Sequence, residues 1–219
     1  MLETLREAGY LFREGSDGRY RLTIRVRGLS DGFSDESWVP RIAKPLIEQL
    51  CRELVWPIAV ATCYGINMLV RETTDKSSPL ALRRYSGGFR VPLLGSSSGR
   101  VYLAFCSAEQ RETLLEVLAR SDAHPSDALA RNRATVDKIL GEVRSNRFAV
   151  TSRPDLNDTS LAVPVFSGGR VFAAVVLRYI DSAMSANDAI TKYLAPLRAT
   201  AERIGQEFQL SNPEETRPT

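Results

Sequence analysis

Apolar positions at the start of the chain recur at helical spacing. Leu2, Leu5 and Ala8 share one face, and Gly9 supplies a stop. Tyr10–Arg13 and Arg19–Thr23 then read as two short strands about the segment 14–18, where Asp17-Gly18 favours a β-hairpin turn. One short helix and one hairpin cannot bury a core alone. The piece therefore either packs on the remainder or is the end of a domain whose front is missing. Residues 28–34 read as a linker. Asp35 is a candidate cap for a helix reaching about Leu54, with Ile42, Leu46, Ile47, Leu50 and Leu54 as its apolar stripe. Pro40 and Pro45 divide or kink it. The stripe suits packing inside the subunit or across a dimer, and the pattern does not choose.

The period then changes to two. Ile58–Tyr64 and Asn67–Thr73 predict strands joined at Gly65, Leu80–Tyr85 a third, and Gly87-Gly88 a break. Three helices follow: Ser96–Phe105 after a small-residue loop, Ala108–Arg120 with Leu114, Leu115 and Leu118 inward, and Asp127–Asn146 with Leu129, Val136, Ile139, Leu140 and Val143 inward. Phe148–Arg153, Ser160–Phe166 and Val171–Tyr179 predict strands, the last two joined through Gly168-Gly169. The unbroken apolar run Val171–Leu177 reads as a buried central strand. A last helix begins near Ser185, with Asp188 as capping partner. It turns Ile190, Leu194, Leu197, Ala201, Ile204 and Phe208 inward and bends at Pro196. Residues 211–219 are a polar tail expected to be disordered. Hairpin-linked strands in two runs, with helices between, predict an α+β fold with an antiparallel sheet rather than a doubly wound one.

The 219 residues are 43% hydrophobic and 25% charged, the balance of a globular protein with one or two domains. The longest apolar run, Val55–Val70, is broken by Pro57, Thr62, Gly65 and Asn67 and predicts no membrane span. Met1-Leu2-Glu3 does not open a signal peptide. A net charge of +3 is too small to argue nucleic-acid binding. Cys51, Cys63 and Cys106, odd in number and apolar in setting, predict core packing in a reducing cytoplasm rather than disulfides or a zinc ribbon. The single histidine, His124, sits in a polar loop and reads as a solvated loop residue. A Ser-His-Asp triad or a multi-histidine metal site would have to pass through it. Glu72, Asp155 and Asp158 could serve acid–base chemistry, but no nucleophile–base pair or metal cluster accompanies them. No catalytic residue, metal or cofactor is expected.

Four segments, in this order and at these separations, resemble the IclR family of bacterial transcription regulators over essentially the whole chain. Leu2–Leu11 with Tyr20-Arg21-Leu22 looks like the end of the family's DNA-recognition helix and its wing. Gly88–Leu94, running into Ser98–Phe105, is similar to its G-R-x-x-P … small-G-K-x-x-L-A stretch. Arg147-Phe148-Ala149 stands where the family usually has Gly-Tyr-Ala, and Leu161–Phe166 is similar to I-A-A/V-P-V-F. Val70–Thr74, Leu103–Cys106 and Ser182–Met184 look like the family's activators of hydroxyphenylpropionate catabolism. Arg147 at the usual glycine is one departure. The absence of everything before the last helix and wing is the other.

The resemblance implies a GAF-like or profilin-like effector-binding domain over 55–210. A winged helix-turn-helix remnant over 1–28 and a linker with its helix over 29–54 would precede it. It further implies a cytoplasmic regulator of a catabolic operon, a homodimer or homotetramer with no membrane role. Such a protein senses a small organic acid and meets operator DNA only through a complete N-terminal domain. Arg13, Arg19 and Arg21 would contact phosphates, although on their own they read as a solvated basic hairpin. A recognition helix needs its partner helix, so this chain is expected to bind operator DNA weakly or not at all. A stand-alone ligand-binding module is the alternative. For the effector, Ser96, Ser97 and Ser98 lie in a loop opening a helix, where N–H groups and hydroxyls suit a carboxylate. In the family that loop lines the effector site, which carries over to Ser97 and Ser98. Ser160, Val176 and Arg178 also fall at family contact positions. Val176 replaces a hydroxyl residue of some members and favours an aromatic acid over glyoxylate or pyruvate. Arg71, Arg153 and Arg178 are candidate carboxylate anchors, since a guanidinium grips both oxygens. Arg153 comes first because its position matches an arginine of the hydroxyphenylpropionate sensors.

Overall fold

The structure, a computed structural model, describes residues 1–13, 19–23, 25 and 38–211. The Asp17-Gly18 turn, the 28–34 linker, the Asp35 cap and residues 212–219 of the tail lie outside the described residues. The chain divides into two compact units, Met1–Ser37 and Trp38–Thr219. In the first, helix α1 (Leu2–Glu7) ends at Gly9, whose φ of +76° needs a residue without Cβ. Strands β1 (Leu11–Arg13) and β2 (Tyr20–Leu22) pair antiparallel with Leu11 opposite Leu22, the expected hairpin.

The second unit opens with a π-turn, Val39–Ala43, that passes into helix α2 (Lys44–Leu54). Pro45 has no N–H for the regular ladder. The turn widens just before it, so that Lys44 N–H reaches back to the Val39 carbonyl. Six strands follow: β3 (Ile58–Tyr64), β4 (Asn67–Thr73), β5 (Arg90–Pro92), β6 (Ala149–Arg153), β7 (Asp158–Ser167) and β8 (Arg170–Tyr179). They form one antiparallel sheet in the order β5-β4-β3-β8-β7-β6. The β7–β8 hairpin turns on Gly168 and Gly169, both at positive φ. Helices α3 (Ser97–Phe105), α4 (Ala108–Arg120) and α5 (Arg133–Asn146) cover one face, and α2 and α6 (Ala186–Ser211) cover the other.

Side-chain alternation on β8 explains its continuous apolar run. Val175 and Leu177 enter the core under α2 and α6, while Ala174 and Val176 enter the core under α3–α5. The stripe of α2 resolves the question the pattern left open. Leu46, Ile47 and Leu50 are buried within the subunit, in one cluster with Ile58, Leu197 and Ile204. The α6 start is also as expected, for Asp188 N–H donates to Ser185 Oγ while Ser185 Oγ donates back to the Asp188 carboxylate.

Two elements differ from expectation. Leu80–Tyr85 is not a strand. β4 takes Arg90–Pro92 as its outer partner instead, and the intervening segment runs as turns, leaving Leu82 59% exposed. The period-two pattern there had no partner strand to serve. The helix predicted over Asp127–Asn146 is two pieces. A 3₁₀ segment, Pro125–Arg131, ends at Asn132, which leaves helical geometry and accepts the Thr135 N–H to cap α5. No described helix is long and apolar enough to cross a membrane.

The core under α3 holds titratable groups in their neutral forms. Burial pushes the Cys63 thiol up to about 11 and raises the Tyr102 phenol and the Cys106 thiol. On the other face burial pushes Tyr179 up to about 12. The folded state thus holds these protons more tightly than the unfolded state. The stabilisation is full below the unfolded thiol pKa of roughly 8.5 and is lost as pH rises through the folded values. Urea midpoints followed by circular dichroism are expected to fall steadily from pH 9 to pH 11. A flat profile would contradict this.

Candidate functional site

Strand register sets up the site before any side chain is considered. Thr151 lies opposite Ser160, Ser160 opposite Arg178, Val176 opposite Ala59, and Ala59 opposite Thr73. Residues two apart on one strand share a face, so Arg153, Arg178 and Ala61 join the same surface. This surface is the floor of a cavity of about 210 Å³ beneath the start of α3. Ala59 and Ala61 are too small to fill the space between sheet and helix. A cavity of roughly 150 Å³ already admits a benzene ring, so this one has room for one substituted ring.

Its roof is built by capping chemistry. Ser96 Oγ accepts the Gly99 N–H at 3.1 Å and donates to the Pro92 carbonyl at 2.7 Å, fixing the entry into α3. The N–H groups at a helix start have no intrahelical partner, and Ser97 and Ser98, the first residues of α3, line the cavity. Ser97 Oγ donates to Ser160 Oγ at 2.8 Å, and Ser160 Oγ is 3.0 Å from Thr151 Oγ1, so helix and sheet are joined by a chain of hydroxyls.

Two arginines stand at this wall in different states. Arg178 is anchored. Its NH1 lies 3.3 Å from Asp75 Oδ2, its NH2 donates to the Arg83 carbonyl at 3.2 Å, and its guanidinium covers the Tyr85 ring at 4.5 Å. Asp75, 1% exposed, also accepts from Thr73 Oγ1 and the Tyr85 N–H. Arg153 is more open and, among the described residues, pairs with the Asp158 carboxylate. Burial opposes its charge, but Asp158 and Tyr85 outweigh burial and hold its pKa above the usual value. Val70, Val91 and Phe89 complete the lining with apolar surface, and the Tyr85 ring lies 4.4 Å from that of Phe89 while contacting both arginines.

Of the residues singled out in the sequence, Ser96, Ser97, Ser98, Arg153, Ser160, Val176 and Arg178 all line this one cavity. Arg71 is not among the lining residues. β4 carries a bulge there: Val60 faces Glu72 but Ala61 faces Val70. Arg71 is the extra residue, and its NH1 donates to Thr62 Oγ1 at 3.2 Å. The sequence predicts a solvated loop position for His124. It is exposed, yet it caps the 3₁₀ segment and lines the cavity. Its Nδ1 accepts the Ser126 N–H at 3.1 Å, which leaves the proton of the neutral ring on Nε2. Tyr85, Phe89 and Thr151 were missed. Thr151 could have been found from its i, i+2 relation to Arg153. The rings carried no such signal. Glu72 lies 3.7 Å from Lys44, and Asp158 pairs with Arg153. Outside this unit, the Arg13 guanidinium covers the Tyr20 ring at 5.9 Å.

The description "bacterial transcriptional regulator IclR C-terminal" matches residues 35–206. A probable transcriptional regulator, SauR, of Cupriavidus necator is 22% identical over 95% of this chain and 82% of its own. An IclR homologue of Microbacterium hydrocarbonoxydans, solved with 4-hydroxybenzoate, superposes with a TM-score of 0.67 at 22% identity, over 95% of this chain and 83% of that one. The inducer-binding domain of a PobR double mutant from Acinetobacter, solved with 3-hydroxybenzoic acid, gives 0.61 at 19% identity, over 76% and 96%. At these identities the superpositions establish the fold.

Proposed function

This chain belongs to the IclR family of bacterial transcriptional regulators, and from that premise we propose that its cavity binds a small aromatic carboxylic acid and that occupancy controls a catabolic operon. The relatives are transcriptional regulators, not enzymes. One observation supports the ligand class above others: Arg153, Ser97, Ser160 and Thr151 line the same cavity as Phe89, Val70 and Val91, around a space with room for one ring. The carboxylate goes to Arg153 and the N–H groups of Ser97 and Ser98, and the ring lies against the apolar lining. The aromatic acids in the two related structures and the sequence likeness to hydroxyphenylpropionate activators point to the same class.

Regulation requires that the ligand bind two arrangements of the protein unequally. In this reading, α2 carries the change toward DNA-binding units of a homodimer or homotetramer, where Arg13, Arg19 and Arg21 contact phosphates. The test is a thermal-shift screen with 4-hydroxybenzoate, 3-hydroxybenzoate and 3-(3-hydroxyphenyl)propionate against glyoxylate and pyruvate. An aromatic acid at 100 Kd is expected to stabilise the fold by ~2.7 kcal/mol, a shift of roughly 5–11 °C for a domain of this size. No shift with any aromatic acid, or equal shifts with the keto acids, would overturn the proposal.

A further inference from the structure

The charges at the polar wall pose a difficulty for any anionic ligand. Arg153 and Arg178 are matched by Asp158 and Asp75, so the unliganded wall is electrically balanced and its most open cation is already in use. We infer that Asp158 is a resident carboxylate that occupies the effector's place on Arg153 and hands that place over when the effector enters. The inference rests on the reading of the cavity as an aromatic-acid site.

Asp158 has a second station at hand. Its Oδ1 lies 4.0 Å from Arg178 Nε. That Nε–H is buried and has no hydrogen-bond partner among the described residues, while both terminal nitrogens of Arg178 are held by Asp75 and the Arg83 carbonyl. An orphaned N–H on a side chain only 15% exposed is costly. A shift of about 1 Å would bring the Asp158 oxygen to a normal hydrogen-bond length. Asp158 is therefore poised between two guanidiniums, bonded to one and just out of reach of the other. When a ligand carboxylate takes Arg153, Asp158 moves to Arg178 Nε, and no buried charge is left unpaired. Only a charged group can drive this exchange, because a neutral amide does not outcompete a carboxylate for a guanidinium. The same exchange reaches the 83–85 segment, since Arg178 holds the Arg83 carbonyl and the Tyr85 ring.

The test compares 4-hydroxybenzoate with its neutral isostere 4-hydroxybenzamide, by calorimetry, on the full chain. Asp158→Asn removes the competitor. It is expected to tighten 4-hydroxybenzoate about three- to tenfold, the scale of one charge-assisted bond that no longer has to be broken, and to leave the amide unchanged. Asp158→Ser serves where the first variant loses the wild-type circular dichroism. In the wild type, the Arg178 Nε–H resonance, assigned by its loss in Arg178→Lys, is expected to move on saturation with the acid and not with the amide. Unchanged or weakened acid binding in a folded variant, or an Nε–H signal that the acid does not move, overturns the hand-over alone. Absence of binding of 4-hydroxybenzoate, 3-hydroxybenzoate and 3-(3-hydroxyphenyl)propionate to wild type and variants alike overturns the aromatic-acid reading with it.

Discussion

Gly99→Ala is expected to destabilise the fold by roughly 3–5 kcal/mol and to lower Tm by roughly 6–20 °C. The reason is contact with backbone rather than conformation. A Cβ at position 99 would lie 2.1 Å from the Leu93 carbonyl oxygen and 2.4 Å from its Cα. Neither atom can swing aside as a side chain would. Either α3 lifts from the sheet or the loop before it moves. Both routes distort Ser96–Ser98, so ligand-induced stabilisation should disappear along with stability. Gly141→Ala in α5 is the contrast, because nothing lies within 4 Å of a Cβ there. Removing a mid-helix glycine should raise stability by about 0.5–1 kcal/mol. Differential scanning calorimetry of the two variants separates the cases. A Gly99→Ala protein within 2 °C of wild type would mean that the approach of α3 to Leu93 is not as close as the structure has it.

Most of the architecture could be read from alternation and capping alone. β3, β4, β7 and β8 each present two apolar faces or one, and the serine, asparagine and aspartate caps stand where helices begin. The cavity was half legible. Serines before a helix and arginines at strand ends are local signals, but their convergence depends on register, which couples Thr151, Ser160 and Arg178 across three strands. Arg71 shows how local reading fails. Val70 and Thr73 are three residues apart yet both face the cavity, which a regular strand forbids and the bulge permits. Arg71 was assigned by strand position, and the bulge gives it Thr62 as a neighbour instead. Tyr85 and Phe89 failed for another reason. Their place is set by Asp75, Arg178 and the Gly88 N–H bond to Val70, partners whose proximity only the folded sheet supplies. Gly99 stands in the run of small residues that opens the helix. Its role in close helix packing is visible only once Leu93 is beneath it.

Arg153→Ala is expected to raise the Kd for 4-hydroxybenzoate tenfold or more, about 1.5–3 kcal/mol for a lost charge-assisted bond. Arg153 is the arginine to test because it is the less committed one. Arg178 is tied to Asp75 and to the Arg83 carbonyl, so its loss would strand a buried carboxylate and confuse folding with binding. Arg153 is 38% exposed and pairs with Asp158. Its removal leaves Asp158, 12% exposed, with Arg178 Nε 4.0 Å away, and should cost about 1–3 kcal/mol of stability. Arg153→Lys keeps the charge but not the two-pronged geometry, and should fall between wild type and alanine. The amide isostere should bind wild type and Arg153→Ala alike, because it makes no charged contact to lose. Arg71→Ala should leave the acid's Kd unchanged, since Arg71 lies outside the cavity wall. An unaltered Kd in Arg153→Ala, with the amide and the acid still bound, would move the carboxylate to the α3 end of the cavity and remove Arg153 from the site. A tenfold loss for the acid alone leaves no such route, because a merely structural effect would weaken both ligands together.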